Sequence, residues 1–229
     1  MIEYHFEMPD ESYQSFYVET TREHTRKKDK AEHPFWTKLD YAQCSNCPLS
    51  MEDYRHCPVA VDLEEVVDRF SEILSVTEVK VWVVTPTRTY YKECDAQTGL
   101  DSLLGLIMAT SSCPILGQFK AMARTHLPFS THFESTWRAL GSHLIKQYFI
   151  RKDGGKPDWD LKNMTDFYEE INTVNQHFAD RVRDASKKDA SVNAVIQLSA
   201  LSITVQATLE EELDEIKAML FERPPTLEN

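Results

Sequence analysis

From Leu100 to Phe221 apolar residues recur every three or four positions, a spacing that puts one apolar side chain per turn on the same face of a helix and does not suit a strand. Leu103, Leu104, Leu106, Ile107 and Met108 leave little polar surface, so the first helix of this region is expected to be buried on most sides. Cys113-Pro114 opens a second, with Pro114 at the first helical position, a stripe of Ile115, Leu116, Phe119, Met122 and Ala123, and Pro128 as its stop. Thr131 and Glu134 form a capping box for a third, carrying Trp137, Leu140, Leu144 and Tyr148 as far as Gly154-Gly155. A fourth begins near Asp160 and holds Met164, Tyr168, Ile171, Asn175, Phe178 and Val182 on one face, and a fifth runs from Asp189 to about Phe221. About five helices joined by short connections predict an antiparallel bundle.

The first part of the chain has a different period. Glu3–Glu7 and Ser15–Glu19 flank the turn-forming Pro9–Ser12, and Glu78–Val84 and Arg88–Glu93 flank Thr85-Pro86-Thr87, so two hairpins are expected. Between them, Val61, Leu63, Val66, Val67, Phe70 and Ile73 carry the helical spacing. The chain is therefore expected to be α+β: a small antiparallel sheet with one helix in residues 1–95, and the helical bundle in 96–229. The basic run from Thr20 to His33, with Arg22, Arg26, Lys27, Lys28 and Lys30, reads as a solvated loop or a short exposed helix.

Charge and composition remove several function classes. The 229 residues carry 25 Lys and Arg against 37 Asp and Glu, a formal charge of -12, which opposes binding to nucleic acid or anionic lipid through bulk electrostatics. No apolar stretch approaches the roughly 18 residues of a membrane span, and Glu3, Glu7 and Asp10 are unlike a secretory leader. A cytoplasmic soluble protein is the expectation. Only six glycines are present, with no phosphate-binding loop, dinucleotide fingerprint or Gly-x-Ser-x-Gly elbow. The Glu-x-x-His pairs of di-metal bundles are also missing.

Three of the five cysteines fall together, Cys44-Ser-Asn-Cys47-Pro and, nine residues on, His56-Cys57-Pro. In a reducing compartment such clustering points to metal ligation or redox chemistry. Two residues between thiolates let a tight turn aim both sulfurs at one ion, and the loop of nine returns a third. Zinc fits Cys44, Cys47 and Cys57 with a fourth ligand from His56, His33, His24 or Cys94. An iron–sulfur cluster, or haem through the Cys-Pro steps, are the alternative cofactors. A second candidate site comprises Cys113 at a helix start and Arg124 and His126 beyond it. A cluster closed within its own loop would keep its metal in Cys113→Ser.

The expected function is binding or regulation, with a structural or sensory metal and a helical region that oligomerises or docks a protein partner. The alternative is a metal-dependent enzyme, or an iron–sulfur or haem redox or sensor protein, whose site brings the cluster to Cys113, Arg124 and His126. Neither reading names a catalytic residue.

Four strings, Cys44-x2-Cys47-Pro-Leu, His56-Cys57-Pro-Val-Ala, Ala109-Thr-Ser-Ser-Cys-Pro114 and Met122-Ala-Arg-Thr-His-Leu-Pro-Phe129, resemble those of an uncharacterised bacterial family, a domain of unknown function. The resemblance spans about residues 40 to 150. It implies that these residues matter together and carries no activity.

Overall fold

Alternation in Ile2–Glu7 decides the centre of the fold, because Ile2, Tyr4 and Phe6 all point to one face and are buried there, while Glu3, His5 and Glu7 take the other. In the computed structural model, which describes residues 1–21 and 32–222, this segment is strand β1. β2 is Tyr13–Val18, β3 Glu78–Val84 and β4 Thr89–Asp95, in the order β2-β1-β3-β4 with every neighbour antiparallel. Tyr4 stands opposite Phe16 on one side and Val83 on the other. Both expected hairpins form. The basic run from Arg22 to Lys30, with His24, lies outside the described residues.

Two helices cover the buried face. α1, Pro58–Arg69, starts with Pro58 in its first turn, and α2, Ala96–Thr110, follows β4 directly. α2 begins four residues before Leu100 because the Asp95 side chain caps it, accepting from the Thr98 N–H at 3.0 Å. The Phe6 and Phe70 rings meet at 5.1 Å, and α2 approaches so closely that a Cβ on Gly99 would stand 2.7 Å from the Phe6 ring. Gly99→Leu is therefore expected to lower stability by about 1–3 kcal/mol, read as a lower urea midpoint at constant slope.

The remaining helices are α3 (Lys120–Arg124), α4 (His132–Lys152), α5 (Lys162–Ala185) and α6 (Ala190–Phe221). The stretch after Pro114 differs from the single helix expected of it: it makes a 3-10 turn, Leu116–Phe119, and then the five residues of α3. Gly117 sits in that turn and its N–H bonds the Cys113 carbonyl at 2.8 Å, so the chain closes a turn at a poor helix former. The capping box of Thr131 and Glu134 is present as expected.

α5 and α6 pack as an antiparallel hairpin, and α2 lies between α6 and the sheet. One core runs without interruption from Ile2 through Phe70 and Leu104 to Phe178 and Val195, so it crosses residue 95. A smaller cluster of Leu140, Met164, Val205 and Ile216 holds the far end of the long helices. The apolar surplus on α6 is mostly consumed by this packing: Val195 and Val205 are buried, and Ile196 and Ile203 remain exposed. No described helix is long and apolar enough to cross a membrane.

Candidate functional site

The cysteine-rich loop is held by backbone bonds at its base and by α5 along its length. The Cys57 N–H donates to the Thr37 carbonyl at 2.7 Å and the Leu39 N–H to that of Arg55 at 3.1 Å, while a Cys47 N–H bond to the Cys44 carbonyl at 3.0 Å closes the tight turn of the pair. Arg181 of α5 is only 2% exposed. Its Nη1 donates to the carbonyls of Trp36 and Lys38 at 2.5 and 2.6 Å, and its Nη2 to that of Leu39 at 3.5 Å. The Tyr41 hydroxyl donates to the Asp184 carboxylate, and Asn46 Nδ2 to the Glu170 carbonyl at 3.0 Å. A buried guanidinium here serves three main-chain acceptors that no strand or helix satisfies.

Four thiols share one neighbourhood at the end of this loop. Cys57 precedes Pro58 at the head of α1, and Cys113 precedes Pro114 at the head of the 3-10 turn. Cys44 feels the charge of Cys47, Cys57 and Cys113; Cys113 feels Cys47 and Cys57; and Cys57 feels Cys47, so all six pairs lie within electrostatic reach. Burial pushes the Cys44 thiol up to about 12, with its three neighbours adding to it, and burial pushes Cys113 up to about 11. Cys57 is raised by burial too, against the opposing pull of the Arg181 guanidinium and of the Ala60 and Val59 N–H groups. Those N–H groups face the sulfur without closing a hydrogen-bonded cap. Burial thus favours the neutral form of Cys44, Cys57 and Cys113, and several thiolates together require a cation.

Cys113 thus lies within electrostatic reach of Cys44, Cys47 and Cys57, a neighbour not among His56, His33, His24 and Cys94, the fourth ligands that sequence spacing offered. His56 is buried with Nδ1 at 2.9 Å from Thr37 Oγ1, and His33 Nδ1 is 2.7 Å from Glu64 Oε2, the two rings meeting edge to face at 5.0 Å. Cys94 lies on β4 opposite Val79, where burial pushes it up to about 11. Among the described residues no three His, Cys, Asp or Glu side chains stand close enough to share a metal ion.

Cys113 lines a different surface recess from Arg124 and His126, the partners expected of it. Arg124 is exposed at the end of α3. His126 makes a bond across the molecule: its Nε2 is 2.6 Å from the Tyr4 hydroxyl, which is 2.7 Å from Ser102 Oγ, and the Phe129 N–H donates to the same Oγ at 3.2 Å. Burial, with help from Arg138, pulls His126 down to about 3, so it is neutral. The consistent proton assignment has Ser102 donating to Tyr4 and Tyr4 to His126. Phe129 holds a left-handed φ of 58°, a strained backbone for an aromatic residue.

Beside this chain of hydroxyls lies a partly open cavity of about 180 Å³ lined by α2, α3, α4, α5 and α6. Leu106, Phe119, Met122, Leu201 and Val205 supply apolar wall, and Asp101, Arg138 and Tyr168 supply polar groups. Arg138 Nη2 donates to the Met122 and Thr125 carbonyls at 3.0 and 2.9 Å. Burial alone pushes the Asp101 carboxyl up to about 7. Sequence reading missed Arg181 and this cavity. Arg181 was detectable in principle, as a charged residue three positions beyond Phe178 on the apolar stripe of α5. Tyr4 gave no signal, since its partners are 98 and 122 residues away.

A family model described as a domain of unknown function, DUF6901, matches residues 2–222. No curated protein and no solved structure matches the chain.

Proposed function

The chain belongs to the DUF6901 family, whose description assigns no activity, and from its own residues we propose that it is a metal-binding protein with a structural or regulatory site of four thiols, Cys44, Cys47, Cys57 and Cys113. The observation that carries this reading is the mutual electrostatic reach of those four groups, three from one loop and one from more than fifty residues away. The donor set suits zinc, which takes four sulfurs tetrahedrally and needs no redox partner. Four thiolates around a divalent ion leave a net negative charge. The Arg181 guanidinium and the N–H groups at the heads of α1 and of the 3-10 turn are placed to offset it. Binding requires the thiols to draw together and shed their protons, so the loop would close on α2 and α5 when loaded. This is a regulatory device in which metal joins the cysteine loop to the helices.

Elemental analysis with an ultraviolet–visible spectrum, on protein purified with and without air, tests it. About one zinc per chain is expected, retained in Cys94→Ser and lost in both Cys47→Ser and Cys113→Ser. Equal metal in wild type and Cys113→Ser defeats the four-thiol assignment, and brown colour or Soret absorption replaces zinc with an iron–sulfur cluster or haem. No metal in either preparation returns the cysteines to packing. Because burial favours the protonated form of Cys44, Cys57 and Cys113 in the metal-free protein, zinc is expected to compete with a chelator at least tenfold better at pH 8 than at pH 6.

A further inference from the structure

Arg138 is a partly buried cation compensated by the field of Glu134, one turn back on its own helix, without an ion pair to it. Its Nη2 serves two carbonyls, its Nη1 and Nε have no hydrogen-bond partner among the described residues, and no described carboxylate stands within ion-pairing distance of it. Burial lowers its affinity for the proton, the sign of a cation partly stripped of water. Such a charge is costly unless something pairs with it. The neighbouring imidazole of His126 is neutral and engaged with Tyr4, so it offers no counter-charge.

Two hollows meet at this guanidinium. The inner one is the apolar cavity of about 180 Å³. The outer one is a surface recess of about 470 Å³ that shares His126, Leu127 and Arg138 with it and adds Arg88 and Arg124. No acidic residue is among the described residues that line the recess, in a chain with a formal charge of -12. An approaching cation meets three arginines there, and an approaching anion is drawn in. Asp101, on the inner wall, does not reverse this choice. A carboxyl relieves its own burial by keeping its proton, and an arginine has no such escape. Inside, apolar cavities of about 150 Å³ take up benzene, so the space suits a body of one ring.

We infer that this cavity binds a small organic carboxylate, its carboxylate held by Arg138 at the junction of the two hollows and its ring-sized apolar body seated between α2 and α6. The site is independent of the thiols, so it stands or falls apart from the metal reading. Tyr168, whose hydroxyl has no hydrogen-bond partner among the described residues, lies within electrostatic reach of Arg138 and is a second donor for the carboxylate.

Titration calorimetry of the full chain with three probes tests the inference: benzoate, benzyl alcohol as the same body without charge, and acetate as the charge without the body. Benzoate is expected to bind with Kd below about 1 mM, and the other two at least about tenfold more weakly. Arg138→Met is expected to remove the preference for benzoate over benzyl alcohol. Since that variant also frees the Met122 and Thr125 carbonyls, Ala109→Leu serves as the second: it fills the cavity, leaves Arg138 in place, and is expected to abolish binding of both ring compounds. Benzyl alcohol binding as tightly as benzoate overturns the role of Arg138. Acetate matching benzoate overturns the role of the cavity, and no benzoate binding at about 10 mM overturns the site altogether.

Discussion

Arg181→Met is expected to cost about 3 kcal/mol or more, a large part of the stability of a domain of this size. The methionine keeps most of the aliphatic stem and removes the guanidinium. The carbonyls of Trp36, Lys38 and Leu39 then lose the guanidinium; that of Lys38 keeps the Tyr41 N–H at 3.2 Å, while those of the buried Trp36 and Leu39 lose a donor away from water. Each buried acceptor left without a partner costs about 1–3 kcal/mol. The neighbouring Arg183→Met is the control. Arg183 is exposed and, among the described residues, pairs only with Asp180 one helical turn away, so its loss is expected to change stability by less than about 0.5 kcal/mol. Urea denaturation of both variants reads the difference. A second readout separates loop docking from general weakening: release of the loop would speed the reaction of Cys44 and Cys47 with a thiol reagent under native conditions. Equal midpoints for the two variants would show that Arg181 does not hold the loop.

Asp101→Asn is expected to stabilise the protein at pH 8 and to do little at pH 4. The carboxyl has no hydrogen-bond partner among the described residues, and burial pushes it up to about 7. In the unfolded chain it titrates near 3.9. A group whose folded pKa is raised favours the folded state below its unfolded pKa, and that contribution is lost as pH rises toward the folded value. Between about pH 4 and 7 wild type therefore gives up stability that the amide variant keeps. Three pKa units correspond to about 4 kcal/mol as an upper bound. His126 acts in the opposite sense. Its folded pKa is pulled below the unfolded one by burial and then by Arg138, so its contribution is full above about 6.5 and falls away as pH drops. Asp189, held below the usual carboxylate range by the Ser75 N–H, also loses its contribution on acidification. The difference between wild type and Asp101→Asn cancels both. A stability difference that is flat from pH 4 to 8 would mean that water reaches the carboxyl freely.

The stability cost at Asp101 and the unpaired cation at Arg138 fall on the walls of one cavity. Groups that weaken a fold are retained where they serve binding or chemistry. The strained backbone of Phe129 belongs to the same wall. The thiols have a different economy. Half-buried, they are compatible with the fold as it stands, and a metal would convert them into a cross-link between loop and helices.

Local chemistry was enough for the elements themselves. Period-two alternation in β1 and β3, the capping box of α4 and the apolar stripe of α5 are each written within a few residues, because helix and strand depend on neighbours in the chain. The cysteine pair and its third member were legible for the same reason, lying within fourteen positions of one another. Where local signals competed, the reading failed: Pro114 promised a helix that Gly117 cut to a turn. What the sequence determined by itself, then, was the α+β composition and the residues of the cysteine loop. Which groups meet was settled by tertiary packing alone. Cys113 joins the thiols instead of His126, Tyr4 reaches Ser102 and His126 across about a hundred residues, and Arg181 finds three carbonyls on the far side of α5. Such meetings depend on how the sheet, α2 and α5 pack together, and a spacing along the chain carries no record of that.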